Sequence, residues 1–139
     1  RRSITGYCIY LNGCLISWKS RGQKHVTLSS TEAEYVAVSE VCTDIMFIKM
    51  MMEFLQLEMK KPVIVHCDNV GAIFLGNNAK LSARTKHIDV KYHFIREHVA
   101  DGTVEIICIP SEENDADIFT KNVGQEAHKK HSKKFMKDL

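Results

Sequence analysis

Glu34, Asp68 and Asp117 lie far apart in the chain, yet each sits at the border of a segment with a clear structural period. Taken as hard oxygen ligands, with no cysteine counted among them, three carboxylates suit Mg²⁺ or Mn²⁺ rather than zinc. Two such ions about 4 Å apart would activate a water and stabilise the leaving oxygen of a phosphodiester during in-line displacement. That is the chemistry of a metal-dependent nuclease.

Each carboxylate also has a purely structural alternative. Glu34 can be N-terminal charge complementing a helix dipole, Asp68 can cap a helix starting at Asn69, and Asp117 can balance another dipole. Singly, each alternative outweighs catalysis. Jointly they persuade less, because three independent caps have no reason to converge on one edge.

The elements that must position these groups start with the stretch Leu28 to Ala37. Ser29 with Glu32 forms a capping box, and Thr31 with Glu34 offers a second one. From Glu34, steps of four and three reach Val38, Val41, Ile45, Ile48, Met52 and Leu55, one apolar stripe at helical spacing. Glu34 is its first member, and a core-facing carboxylate is costly unless neutralised, hydrogen-bonded or metal-bound. Glu32 is off the stripe and raises no such question. The helix can run to about Gln56, with Pro62 as its latest exit.

Before it, Gly6–Leu11 and Cys14–Ser20 read as a hairpin closed by Asn12-Gly13. After it, Val63–Cys67 reads as a buried strand with Asp68 at its carboxyl end. A short helix is expected over Asn69–Leu75, and another over Lys86–Val99 with Ile88, Tyr92, Ile95 and Val99 on one face. Val104–Ile109 is the next strand, and Asn114 is placed to cap a final helix with Asp117 at its third position. The order implies an α/β domain whose mixed sheet is antiparallel at first and parallel later. In such sheets the site lies at the carboxyl ends of the parallel strands.

The 139 residues fit one domain, and 45% hydrophobic with 26% charged residues is a globular composition. No apolar run approaches the roughly 18 residues of a membrane span, and no signal-type segment is present, so an intracellular setting, cytoplasm or nucleus, is expected with no membrane partner. Five cysteines without a Cys-x-x-Cys pair argue against a disulfide framework or a zinc module and read as mostly buried thiols. The net charge of +2 says little. Its distribution says more, with Lys80, Arg84, Lys86, His87, Lys91, His93 and Arg96 in one cluster and five lysines after Gly124 in another. Tyr92 and Phe94 interleave with the first cluster, as stacking residues of a nucleic-acid surface or as core.

Leu28-Ser29-Ser30-Thr31-Glu32-Ala33-Glu34-Tyr35, Cys67-Asp68-Asn69 with Ala72-Ile73, Ser82 to Asp89 leading to Tyr92-His93-Phe94-Ile95-Arg96-Glu97, and Ala116-Asp117-Ile118-Phe119-Thr120-Lys121 together resemble the RNase H domain at the end of copia-type LTR retrotransposon polyproteins. Arg2-Ser3-Ile4-Thr5-Gly6-Tyr7 and Ile16-Ser17-Trp18-Lys19-Ser20 match the same pattern, so the likeness runs from Arg1 to about Lys121. The resemblance implies an RNase H fold over residues 1–124, a lysine-rich helix or tail over 125–139, and two-metal cleavage of the RNA strand of RNA–DNA hybrids. It assigns catalysis and metal binding, to Mg²⁺ or Mn²⁺, to Glu34, Asp68 and Asp117. Ser30, Asn69, Arg84, Lys86 and His87 are the residues expected to touch nucleic acid. The product-release histidine of cellular relatives has no counterpart in Ser111–Asn114. The family's first aspartate lies on a strand before the Arg-Ser-x-x-Gly segment, in the middle of the sheet. An upstream reverse transcriptase segment is therefore the expected partner supplying that strand, and a non-catalytic RNase H-like binding module is the alternative reading.

Overall fold

The computed structural model describes residues 2–24, 26–27, 29–69 and 86–136, with backbone only at 86–88. Strands β1 (Ile4–Leu11) and β2 (Cys14–Gly22) form an antiparallel hairpin. Its Asn12-Gly13 turn has φ of +50° and +74°, the doubly left-handed backbone of a tight hairpin turn, which asparagine and glycine adopt at low cost. A register shift between Ile9 and Tyr10 leaves Ile16 of β2 as the extra residue of a bulge, and both strands outrun the expected bounds, β1 starting at Ile4 and β2 running to Gly22.

Helix α1 (Ser30–Phe54) begins where the capping box places it, with the Ser29 hydroxyl accepting from the Glu32 amide at 3.1 Å. A cap of this kind stabilises a helix by about 1 kcal/mol. The helix ends on Gln56 at φ +57°, with Leu57 N–H donating to Met52 O and Gln56 N–H to Glu53 O, a Schellman closure without glycine. Val38, Val41 and Ile45 of the stripe are buried, whereas Leu55 at its far end is exposed.

Strand β3 (Val63–Cys67) pairs in parallel with β4 (Val104–Cys108), and helix α2 (Lys86–Ala100) connects back into β4. The expected helix over 69–75 lies mostly outside the described residues. Tyr92 and Ile95 of α2 are buried and Phe94 packs against the core, so these aromatics are core residues rather than an open stacking surface. Tyr35 and Tyr92 stack at 5.5 Å and tie α1 to α2. The last helix, α3, spans Gln125–Phe135.

The architecture is therefore α/β, an antiparallel and a parallel strand pair flanked by helices, consistent with an RNase H-like mixed sheet. α1 packs on both pairs, and Lys19 and Arg21 of β2 hold its Glu40 at 3.3 Å. Two of the five thiols, Cys42 and Cys67, are buried, while Cys14 and Cys108 are exposed. The expectation of mostly buried thiols is corrected, because no element among the described residues covers the hairpin end or the face of β4 that carries Cys108. No helix among the described residues is long and apolar enough to cross a membrane.

Candidate active site

α1 presents Glu34, Val38, Val41 and Ile45 to a cleft of about 310 Å³. One wall is β1 from Gly6 to Tyr10 and the other is β3 from Ile64 to Cys67. Among the described residues β1 pairs only with β2 and β3 only with β4, so the cleft separates two strand edges. Direct closure between these strands does not occur.

At one end of the cleft the carboxylates of Glu34 and Asp68 and the thiol of Cys67 have ligand atoms within 4.8 Å of one another. Glu34 arrives from the first turns of α1 and Asp68 from the residue after β3. The Glu34 carboxyl is held above its ordinary range by burial and then by the charges of Asp68 and Asp117, with Lys121 opposing. The Ser111 hydroxyl donates to Asp68 Oδ2 at 3.1 Å.

Asp117 stands outside this group. It belongs to a 3₁₀ segment, Asp115–Phe119, instead of the expected final α-helix. Asn114 does cap this segment, its side chain accepting from the Ala116 amide, and Asp117 is at the third position as expected, but the capped element is a 3₁₀ run. The Asp117 carboxylate is paired with Lys121 Nζ at 2.7 Å. Lys121 is in turn held above its ordinary pKa, first by that hydrogen bond, with further support from Asp68 and Glu34. Its ammonium is the counter-charge of the whole acidic set. It was visible in the sequence as an acid followed by a base four residues later.

Cys67 is a member the sequence reading left out. Its side chain shares the buried face of β3 with Val65. Burial pushes the thiol up to about 11, so it stays protonated at neutral pH and is a poor ligand beside two carboxylates. The working donor set is thus oxygen, with a carboxyl whose hold on its proton is strengthened by burial and by its acidic neighbours. Those features fit a hard divalent cation, which would replace that proton.

No family model matches the chain, and no solved structure matches it. Among curated proteins it is 46% identical over 123 residues to the retrovirus-related Pol polyprotein from transposon TNT 1-94 of Nicotiana tabacum, covering 88% of this chain. It is 37% and 36% identical over 132 residues, or 95% of the chain, to the Pol polyproteins from transposons RE2 and RE1 of Arabidopsis thaliana. The chain is homologous to a region of copia-type retrotransposon Pol polyproteins. It spans 9% of the length of each of these relatives.

Of the residues expected to touch nucleic acid, only Ser30 and Asn69 have described side chains. Ser30 is exposed at the start of α1, and Asn69 follows Asp68, its carbonyl 3.8 Å from Cys67 Sγ. Arg84 lies outside the described residues, as do the side chains of Lys86 and His87. Further along α2, His93 and Arg96 are exposed, and the Arg96 guanidinium lies 5.4 Å from the Tyr92 ring centroid.

Proposed function

We propose that this chain is the RNase H domain of a retrotransposon Pol polyprotein and hydrolyses the RNA strand of RNA–DNA hybrids. The observation that carries this reading is the approach of Glu34 and Asp68 to within 4.8 Å, with the Glu34 pKa raised by burial and then by the charges of Asp68 and Asp117. Such a pair is costly unless a cation joins it. Glu34 and Asp68, with Asp117, would hold Mg²⁺ or Mn²⁺, and two ions would supply an activated water and charge stabilisation of the leaving oxygen. The chain's own contributions are to bury Glu34, to orient Asp68 through Ser111, and to keep Asp117 close by with Lys121 as its temporary partner.

The cleft between β1 and β3 takes an extended segment from upstream in the polyprotein, whose backbone would satisfy both strand edges. The test is hybrid cleavage with Mg²⁺ by the 139-residue chain and by a version extended upstream. Cleavage is expected in the extended protein and lost in Asp68→Asn. No cleavage by either, or cleavage that survives Asp68→Asn, sinks the nuclease reading. Full activity of the 139 residues alone, lost in Asp68→Asn, removes the need for the upstream strand. Replacing Arg84 and Lys86 should lower the salt slope of hybrid binding by about 2, evenly across sequences.

A further inference from the structure

His131 is 2% exposed in a helix that is otherwise mostly solvated and lysine-rich. Its Nδ1–H donates to Asp115 Oδ1 at 2.7 Å. Lys134 Nζ donates to the same carboxylate at 2.8 Å, and the Tyr10 hydroxyl of β1 reaches its other oxygen at 3.1 Å. One carboxylate thus joins α3, β1 and the 3₁₀ segment, and it lies two residues before Asp117. Phe135 of α3 adds an apolar clamp, 5.4 Å from Phe119 and 6.1 Å from Tyr10 between ring centroids. Lys130 Nζ donates to Glu112 O at 2.8 Å and fixes the loop ahead of the segment. At its borders the segment is closed by Asp117 N–H to Asn114 O and by the amides of Thr120 and Lys121 to Asp117 O. So short a 3₁₀ run has little stability of its own.

We propose that α3 is the positioning element for Asp117, with His131 acting through Asp115 as its positioning residue. This rests on the nuclease reading above, since Asp117 needs a fixed place only if its carboxylate works with Glu34 and Asp68. Nothing in the role of a solvated basic tail requires a buried histidine aimed at the site's own segment.

The test uses the upstream-extended protein with His131→Ala, His131→Asn and Lys134→Met. His131→Asn keeps a nitrogen donor near the Nδ1 position. The expected result for His131→Ala is a kcat lower by about 10- to 100-fold, unchanged KM for hybrid and a higher Mg²⁺ requirement, with activity largely restored in His131→Asn. Lys134→Met, which removes a half-exposed donor, should have the smaller effect. Wild-type kcat in His131→Ala overturns the proposal. So does an equal loss in His131→Ala and His131→Asn that tracks a fall in thermal stability. If even the wild-type protein cleaves nothing, the nuclease reading fails by itself, and amide exchange then decides the positioning claim. Exchange at Asp117, Thr120 and Lys121 that speeds up at least about tenfold in His131→Ala upholds it, and unchanged exchange overturns it.

Discussion

Glu34 and Asp68 reach the site from regular elements, a 25-residue helix and a strand buried on one face rather than on both as expected, with Ile64 and His66 exposed, whereas Asp117 is carried by a five-residue 3₁₀ segment. Among the described residues the first pair has only the distant help of Lys121 as a counter-charge, and the Glu34 pKa is raised by burial and then by its acidic neighbours. Asp117 is already neutralised at 2.7 Å by Lys121. One half of the site is rigid and electrostatically unrelieved; the other is relieved and depends on neighbours for its position. A cation therefore gains most from the first half, while the second is the half that other parts of the chain can adjust.

The largest effect expected from this division is that of Asp68→Asn. Losing one carboxylate of the unrelieved pair should lower hybrid cleavage by roughly 10²-fold or more. It should also let the Glu34 pKa fall toward its ordinary value, which carboxyl-resolved NMR titration reads directly. A Glu34 pKa that stays put would mean burial alone holds it up, and the two halves would not differ as described.

Gly6→Ala attacks the other half without touching the first. A Cβ on Gly6 would meet Thr120 Cγ2, Phe119 Cβ at 3.1 Å and Ala116 O at 3.3 Å. The 3₁₀ segment would have to back away, at a cost of about 1–3 kcal/mol in stability by denaturant melts. Cation binding to Glu34 and Asp68 should survive this change. Its loss together with stability would show that the halves are not separable.

The same contrast governed what could be read from the sequence. α1 was legible because Ser29 and Glu32 cap it and its stripe has one period, and Glu34 stood out as the only acid on that stripe. The hairpin followed from Asn12-Gly13, and β3 from the apolar Val63-Ile64-Val65 run ahead of His66, Cys67 and Asp68. The Asp117 segment was not legible as it stands. Asn114 caps a 3₁₀ turn as readily as a helix, and the choice is made by tertiary contacts that no local pattern carries: Gly6 packed beneath it, the Ser20 hydroxyl on Phe119 O at 2.6 Å, and α3 on Asp115. His131 was hidden for the same reason, as one histidine in a run of lysines.

A third expectation concerns pH. The folded state holds the Glu34 proton more tightly than the unfolded chain does, so the stability from this group is present at low pH and lost as pH rises through the raised folded-state value. On the proposed reading Mg²⁺ would compete with that proton for the Glu34 carboxylate. Its stabilising effect on thermal melts should therefore be absent in the ordinary carboxylate range and grow toward neutral pH, with proton release on binding seen by calorimetry in buffers of different ionisation enthalpy. Glu34→Gln should raise the cation-free melting temperature at neutral pH and abolish both effects. A Mg²⁺ effect independent of pH would place the ion away from Glu34.

The smallest effect is assigned to Ser111, whose hydroxyl donates to Asp68 Oδ2 at 3.1 Å from the loop after β4. The bond is exposed, so its loss in Ser111→Ala should cost no more than about 0.5 kcal/mol of stability. Its functional value is separate, because the hydroxyl restricts the carboxylate to one orientation beside Glu34. Ser111→Ala should leave melting and hybrid binding near wild type while weakening Mg²⁺ binding a few-fold, and Ser111→Thr, which keeps the hydroxyl, should restore it. The same few-fold loss in Ser111→Thr would mean that the loop's shape matters rather than the bond. Asp68 would then be fixed by β3 alone, and the unrelieved half of the site would be more self-sufficient than its hydrogen bonding suggests.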